Sequence, residues 1–214
     1  MDLYFSPLAC SLATRIALYE AGGDARFIQV DTKAKRVVDG TDYLTITPMG
    51  QVPLLRTDDG DLLSENTAVL QYIADHYPDA RLAPTAGFER SRMQQWLGFI
   101  GTELHKAVFV PQLDAKATAE VKAYARDKTK LRLDLLQQHL AEHIFLLDRF
   151  SIADIYLFVV LNWSAVIGLD LKQWPAVHAF QQRLLQRENV SKALHEEVDL
   201  YKAEQAHLVN AKAG

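Results

Sequence analysis

The sequence predicts an α/β first part followed by an all-helical second part. Three observations carry this: strand and helix signals alternate as βαβ and then ββα up to about residue 78, strand signals then stop, and a Pro, Ala and Gly-rich stretch marks the change. The chain has 214 residues, 49% hydrophobic and 23% charged, enough to bury a full core.

Asp2–Phe5 is short and aromatic, and Ser6-Pro7 breaks it. Ser11 to Ala21 carries Leu12, Ile16 and Tyr19 at helical spacing before Gly22-Gly23. Arg26 to Asp31 reads as a second strand, returning beside the first through a right-handed crossover. A mixed polar stretch fills Thr32 to Thr47. Val52 to Arg56 and Leu62 to Ser64 flank Asp59-Gly60, which supplies turn chemistry for a hairpin. From Asn66 to Tyr77, Val69, Leu70 and Ile73 keep the helical period, and Pro78 closes it. The expected organisation is therefore a domain over 1–78, a linker over 79–87 and a helical domain over 88–214.

In that second part, helical patterns cover Phe88 to Val110, Ala117 to His143, Ile152 to Ile167 and Pro175 to Arg187, punctuated by Pro111, Gly168 and Pro175. Ser151 to Asp154 resembles a capping box with Asp in place of Glu or Gln. Ala203 to Gly214 is small and polar enough to fray.

Charge and length exclude several function classes. A formal charge of -4 gives no basic footprint for nucleic acid. The longest apolar run, Ile155 to Leu161, falls far short of the roughly 20 residues of a membrane span. No secretory signal is read at the start, so the expected compartment is the cytoplasm. One cysteine, Cys10, rules out an internal disulfide framework and a multi-cysteine metal site. His139 to His143 matches the inverted zinc-protease spacing H-x-x-E-H, but no further ligand suggests itself nearby, and the expectation is a surface helix with no metal.

Six segments in order carry a resemblance: SPLACSLA (Ser6 to Ala13), TPMG (Thr47 to Gly50), QVPLL (Gln51 to Leu55), SENTAVLQYIAD (Ser64 to Asp75), TELHK (Thr102 to Lys106) and FSIADIYLF (Phe150 to Phe158). Together they resemble the bacterial beta-class glutathione transferases over nearly the whole chain. The resemblance implies a thioredoxin-like N-terminal domain joined to an all-α C-terminal domain, a homodimer, and conjugation of glutathione to apolar electrophiles. Glutathione is then a co-substrate, and no cofactor is expected. The sequence departs from the family pattern at Phe5, Leu8, Asn66 and Gly98. Phe5 removes a hydroxyl near the sulfur site and Gly98 an amide contact, so weak activity on model electrophiles is expected.

Glutathione offers two carboxylates, an ammonium and a thiol, so its site needs anion contacts, an acid, and a group that favours thiolate. Cys10 falls at the first turn of a helix, where free amides and the helix dipole stabilise negative sulfur; a buried structural cysteine is the local alternative. Within the resemblance, Cys10 holds glutathione as a mixed disulfide or hydrogen-bonds its thiolate, and Ser11 adds its amide and hydroxyl. Val52-Pro53 is expected cis, aiming Val52 at the cysteinyl backbone. Asn66 and the first amides of its helix can bind the γ-glutamyl carboxylate while Glu65 receives the ammonium, with a plain cap as the alternative. Lys35 is the candidate for the glycyl carboxylate.

The resemblance points His105 toward the sulfur as a base or hydrogen-bond partner, and Thr102, Glu103 and Lys106 toward glutathione, Glu103 reaching the neighbouring subunit's ligand. Leu8, Phe109, Val110 and Trp163 are candidates to line an apolar second-substrate pocket, though each could be core packing. Two further readings stay open: glutathione-dependent thiol-disulfide chemistry through Cys10, and a non-catalytic carrier of apolar ligands.

Overall fold

In a computed structural model, residues 1–206 are described in full and only the backbone course of the last helix beyond them, to Ala213. Contacts divide the chain into two units, Met1–Ala80 with the chain from Arg187 onward, and Arg81–Gln186.

The first unit is built on a five-stranded sheet in the order β3-β2-β1-β4-β5, from β1 (Asp2–Phe5), β2 (Arg26–Asp31), β3 (Arg36–Val37), β4 (Leu54–Arg56) and β5 (Leu62–Ser64). β1 and β2 run parallel through the crossover helix α1 (Leu12–Ala21), and β1, β4 and β5 pair antiparallel. This is the βαβ-ββα order read from the sequence. Leu3, Leu55, Ile16 and Leu70 bury one core. Tyr4, Val30, Val37, Tyr43 and Leu54 bury another, contributed partly by the polar stretch 32–47, which holds β3 and a short 3-10 turn at Tyr43–Thr45. α1 ends where Gly22 adopts φ 65 and its amide reaches back to Leu18 and Tyr19, a left-handed stop that glycine tolerates without strain. Helix α2 (Asn66–His76) packs against α1.

In the second unit, the single helix expected over Phe88 to Val110 changes pitch. It comprises α3 (Gly87–Phe99), a π-helical stretch Ile100–Phe109 and a short α4 (Val110–Leu113). Pro111 does not end it and stands at the second position of α4. The pattern over Ala117 to His143 divides at Lys128 into α5 (Ala119–Asp127) and α6 (Thr129–Glu142). α7 (Ile152–Asn162) is buried from Ile152 to Leu161. Its capping box is complete: the Ser151 hydroxyl accepts from the Ala153 amide, and the Asp154 carboxylate accepts from the amides of Ser151 and Leu146. α8 (Pro175–Leu185) closes the unit.

The last helix, α9 (Glu188–Ala213), packs on α1 and groups with the first unit. Val190, Ala193 and Glu197 form its buried stripe at helical spacing. Ala203 and the residues to 206 continue the helix where fraying was expected; the rest of that tail lies outside the fully described residues. Among the described residues no helix is long and apolar enough to cross a membrane.

Candidate functional site

In the first unit, β1 runs into the loop 6–10 and then into α1. Cys10 lies one residue before the N-cap Ser11, and its thiol donates to the Val52 carbonyl at 3.4 Å. The Val52-Pro53 peptide is cis. Cys10 is half-buried and forms no disulfide among the described residues. The Ser11 hydroxyl, fully buried, is occupied by Ser6, donating to its carbonyl and accepting from its amide at 3.3 Å each. It closes the cysteine loop on itself.

The segment carrying Val52 is pinned from two sides. Lys35 Nζ donates to the Gly50 carbonyl at 2.9 Å, and the buried Tyr43 hydroxyl donates to the Gln51 carbonyl at 2.9 Å. Gly50 has φ +55, and a Cβ there would fall 2.8 Å from Lys35 Cδ, so only glycine lets the lysine stem pass.

At the start of α2 the structure corrects the cap. Glu65, exposed and at φ 68, occupies the N-cap position without a side-chain cap bond, and Asn66 lies inside the helix. A positive φ at a non-glycine residue stores strain. Asn66 Oδ1 accepts from Thr14 at 3.1 Å, one helical turn after Cys10, while its amide nitrogen is buried without a partner among the described residues. That orphan donor and the first amides of α2 make a site with unused capacity for an anion.

The second unit holds the other candidates. His105 is 8% exposed, in the π-helical stretch, with Nδ1 2.7 Å from the Tyr156 hydroxyl and its ring 4.9 Å from Trp163. Burial, with Lys106 adding to it, pushes the imidazole down to about 4. His105 is therefore neutral at pH 7 and too weak a base to hold a thiol proton, which corrects the general-base expectation. Phe109 is completely buried and meets Trp163 edge-on at 6.0 Å, so it packs the core and does not line a pocket. Trp163 is half-buried and Val110 is 37% exposed. Glu103 is ion-paired with Arg132, the Thr102 hydroxyl donates to the Gly98 carbonyl at 3.0 Å, and Lys106 is exposed.

His139 and His143 stack 4.4 Å apart with planes 6° from parallel. Stacked rings direct their lone pairs along parallel planes and cannot converge on one ion. No group of three metal-binding side chains exists among the described residues.

Sequence reasoning missed Tyr156 and the pair Arg15 and Glu197. Leu8, a pocket candidate, stands at φ 61 with its amide donating to Glu197 at 2.7 Å, and Glu197 also accepts from Arg15 Nε at 3.0 Å. Signals existed: a charged residue inside each buried helical stripe, and a tyrosine in an otherwise apolar helix, need partners. A cavity of about 610 Å³ opens elsewhere in the first unit, beside β2, and is lined by none of the candidate residues.

A parallel-antiparallel sheet with a cis-proline segment facing a thiol at a helix start, followed in the chain by a helical unit, defines the two-part architecture of a thioredoxin-like domain joined to an all-α domain. Residues 9–76 match the family described as glutathione S-transferase, N-terminal domain, and residues 100–188 match glutathione S-transferase, C-terminal domain. The chain belongs to the glutathione S-transferase family of enzymes. It is 41% identical to glutathione S-transferase GstA of Escherichia coli O157:H7, with 92% of this chain and 98% of that protein aligned. Among solved structures, it is similar to the bacterial beta-class glutathione S-transferase of Sphingomonas chungbukensis at 43% identity and TM-score 0.89, covering 92% and 98% of the two chains. It is also similar to a sphingomonad glutathione S-transferase complexed with glutathione, at 42% identity and TM-score 0.88, again over 92% and 98%.

Proposed function

We propose that this chain binds glutathione in its first unit and joins the tripeptide's sulfur to apolar electrophiles, a detoxifying conjugation carried out by a cytoplasmic homodimer. The observation that carries the reading is the Cys10 thiol 3.4 Å from the Val52 carbonyl at the cis peptide, with Thr14, one turn on, bonded to Asn66. The glutathione held by the sphingomonad relative supports it. The Val52 backbone would pair with the cysteinyl residue of glutathione. The start of α2 and Asn66 would take its γ-glutamyl carboxylate, Glu65 the ammonium, and Lys35 the glycyl carboxylate. Within the second unit, Trp163 and Val110 would line the apolar pocket, and Thr102, Glu103 and Lys106 are its polar candidates.

In the conjugation step the glutathione thiolate attacks an electrophilic carbon, a carbon-sulfur bond forms, and the leaving group departs with the bonding pair. The thiol proton goes to solvent, since His105 is too weak a base to keep it. Purified protein should be retained on immobilised glutathione and should convert a chlorinated nitrobenzene to its thioether with release of chloride; failure of both removes the reading.

The half-exposed Cys10 beside a fully buried Ser11 also favours a second activity. The Cys10 thiolate attacks the glutathione sulfur of a mixed disulfide, and the substrate thiolate leaves and is protonated. A second glutathione then releases Cys10 as oxidised glutathione forms. Cys10→Ala separates the two: it abolishes this reduction and spares conjugation. Loss of both, or of neither, removes the second activity as a separate function of Cys10.

A further inference from the structure

We propose that Glu197 is a positioning residue for Cys10: its carboxylate holds Leu8 in the left-handed conformation that sets the sulfur at the start of α1. The Leu8 amide donates to Glu197 Oε2 at 2.7 Å, and Leu8 stands at φ 61. That conformation is strained for a residue with a Cβ and persists only where its surroundings hold it. Glu197 is fully buried, so the bond from the Leu8 amide to its carboxylate is charge-assisted and shielded from water.

One carboxylate grips the chain on both sides of Cys10. Leu8 lies in the loop before α1, and the other oxygen, Oε1, accepts at 3.0 Å from Nε of Arg15 on α1. Arg15 is locked in turn. Its Nη1 reaches Glu196 Oε2 at 3.2 Å, the Tyr19 hydroxyl donates to that same oxygen at 2.6 Å, and the guanidinium lies over the rings of Phe5 and Phe27. Between the two grips the Ala9 amide donates to the Ser6 carbonyl at 3.1 Å and the Leu12 amide to the Ala9 carbonyl at 3.0 Å. The Cys10 thiol meets the Val52 carbonyl from within this stretch. α9 supplies the carboxylate from 189 residues further along the chain, inside the same unit.

Free amides and the helix dipole favour a thiolate at a helix start, and the effect fades within the first turn. A loop that relaxes at Leu8 therefore carries the sulfur out of that field and favours the thiol. The catalytic consequence rests on the reading in which Cys10 meets glutathione, whereas the effect on the sulfur itself does not.

Cys10 is the only cysteine in the chain, so alkylation by iodoacetamide reports on one position. The test follows the alkylation rate of the full protein against pH, in the native chain and in Arg15→Leu with Glu197→Leu, which leaves neither charge of the pair buried alone. In that double variant the midpoint of the profile should rise by about one unit, with alkylation below it roughly tenfold slower. Adding Leu8→Gly, which takes a positive φ without strain, should bring the midpoint back toward native. Loss of packing alone would not be rescued in this way. An unchanged or lowered midpoint in the double variant overturns the proposal, and so does a raised midpoint that Leu8→Gly leaves in place. Should the double variant not fold, Glu197→Asp keeps a charge for Arg15 and draws the carboxylate back from the Leu8 amide; its midpoint must rise, and a fixed midpoint overturns the proposal. Iodoacetamide needs no glutathione, so a native protein without conjugating activity would remove the functional reading and leave this result standing.

Discussion

Arg15 and Glu197 lie 182 residues apart in sequence and meet at 3.0 Å in the interior of the first unit, the arginine 4% and the glutamate 0% exposed. The guanidinium also stands 4.4 Å over Phe5 and 4.0 Å over Phe27, and a second contact reaches Glu196 at 3.2 Å. Phe5, where the family pattern has tyrosine, thus forms part of the aromatic seat of a buried cation. Burial pushes the Glu197 carboxyl up to about 7, against the opposing pull of Arg15 and the Leu8 amide.

Removing one partner of this pair should be costly and removing both should not. Arg15→Leu leaves a buried carboxylate unpaired and should cost about 3 kcal/mol. Arg15→Leu with Glu197→Leu should recover most of that, leaving about 1–2 kcal/mol for the hydrogen bond that the Leu8 amide loses. Urea unfolding of Arg15→Leu, Glu197→Leu and the double variant measures the cycle, and strict additivity would contradict it.

His105 gives a pH dependence with a definite sign. Its folded value near 4 lies below the ordinary 6.5, so the unfolded chain takes up the proton first. Its contribution to stability is complete above pH 6.5 and is lost as pH falls toward 4, by about 3 kcal/mol. Asp154, raised by burial to about 6, and Glu197 run the other way, gaining stability as pH falls. Comparison of native protein with His105→Gln isolates the histidine: between pH 7 and 4 the stability difference between the two should shift by about 3 kcal/mol in favour of the variant.

Gly98 sits in the interior of α3, and a Cβ there would meet nothing within 4 Å. Gly98→Ala should therefore stabilise by about 0.5–1 kcal/mol, seen as a higher Tm. Gly98→Asn restores the beta-class pattern, and calorimetry with glutathione should show tighter binding if that amide contact matters.

The cap of α7 is graded. Ser151→Ala removes one hydroxyl and should cost about 1 kcal/mol. Asp154→Ala strips the acceptor from the buried amides of Ser151 and Leu146 and should cost about 2–4 kcal/mol. Equal losses in the two variants would show that the reciprocal half of the box contributes nothing.

The sequence by itself determined what local chemistry can determine. Asp59-Gly60 placed the β4-β5 hairpin, Gly22 the end of α1, Ser151 and Asp154 the start of α7, and the period of apolar residues most of the helices. Each depends on residues within a few positions of one another. Tertiary structure alone decided the partners of the buried polar groups. Glu197 meets Arg15 and Leu8, Tyr156 meets His105, Asn66 meets Thr14 and Ser11 turns inward to Ser6. A buried charge or hydroxyl must find a partner, but the pattern of a sequence records only that it is buried. Which partner it finds depends on how distant segments pack, as the docking of α9 on α1 makes plain.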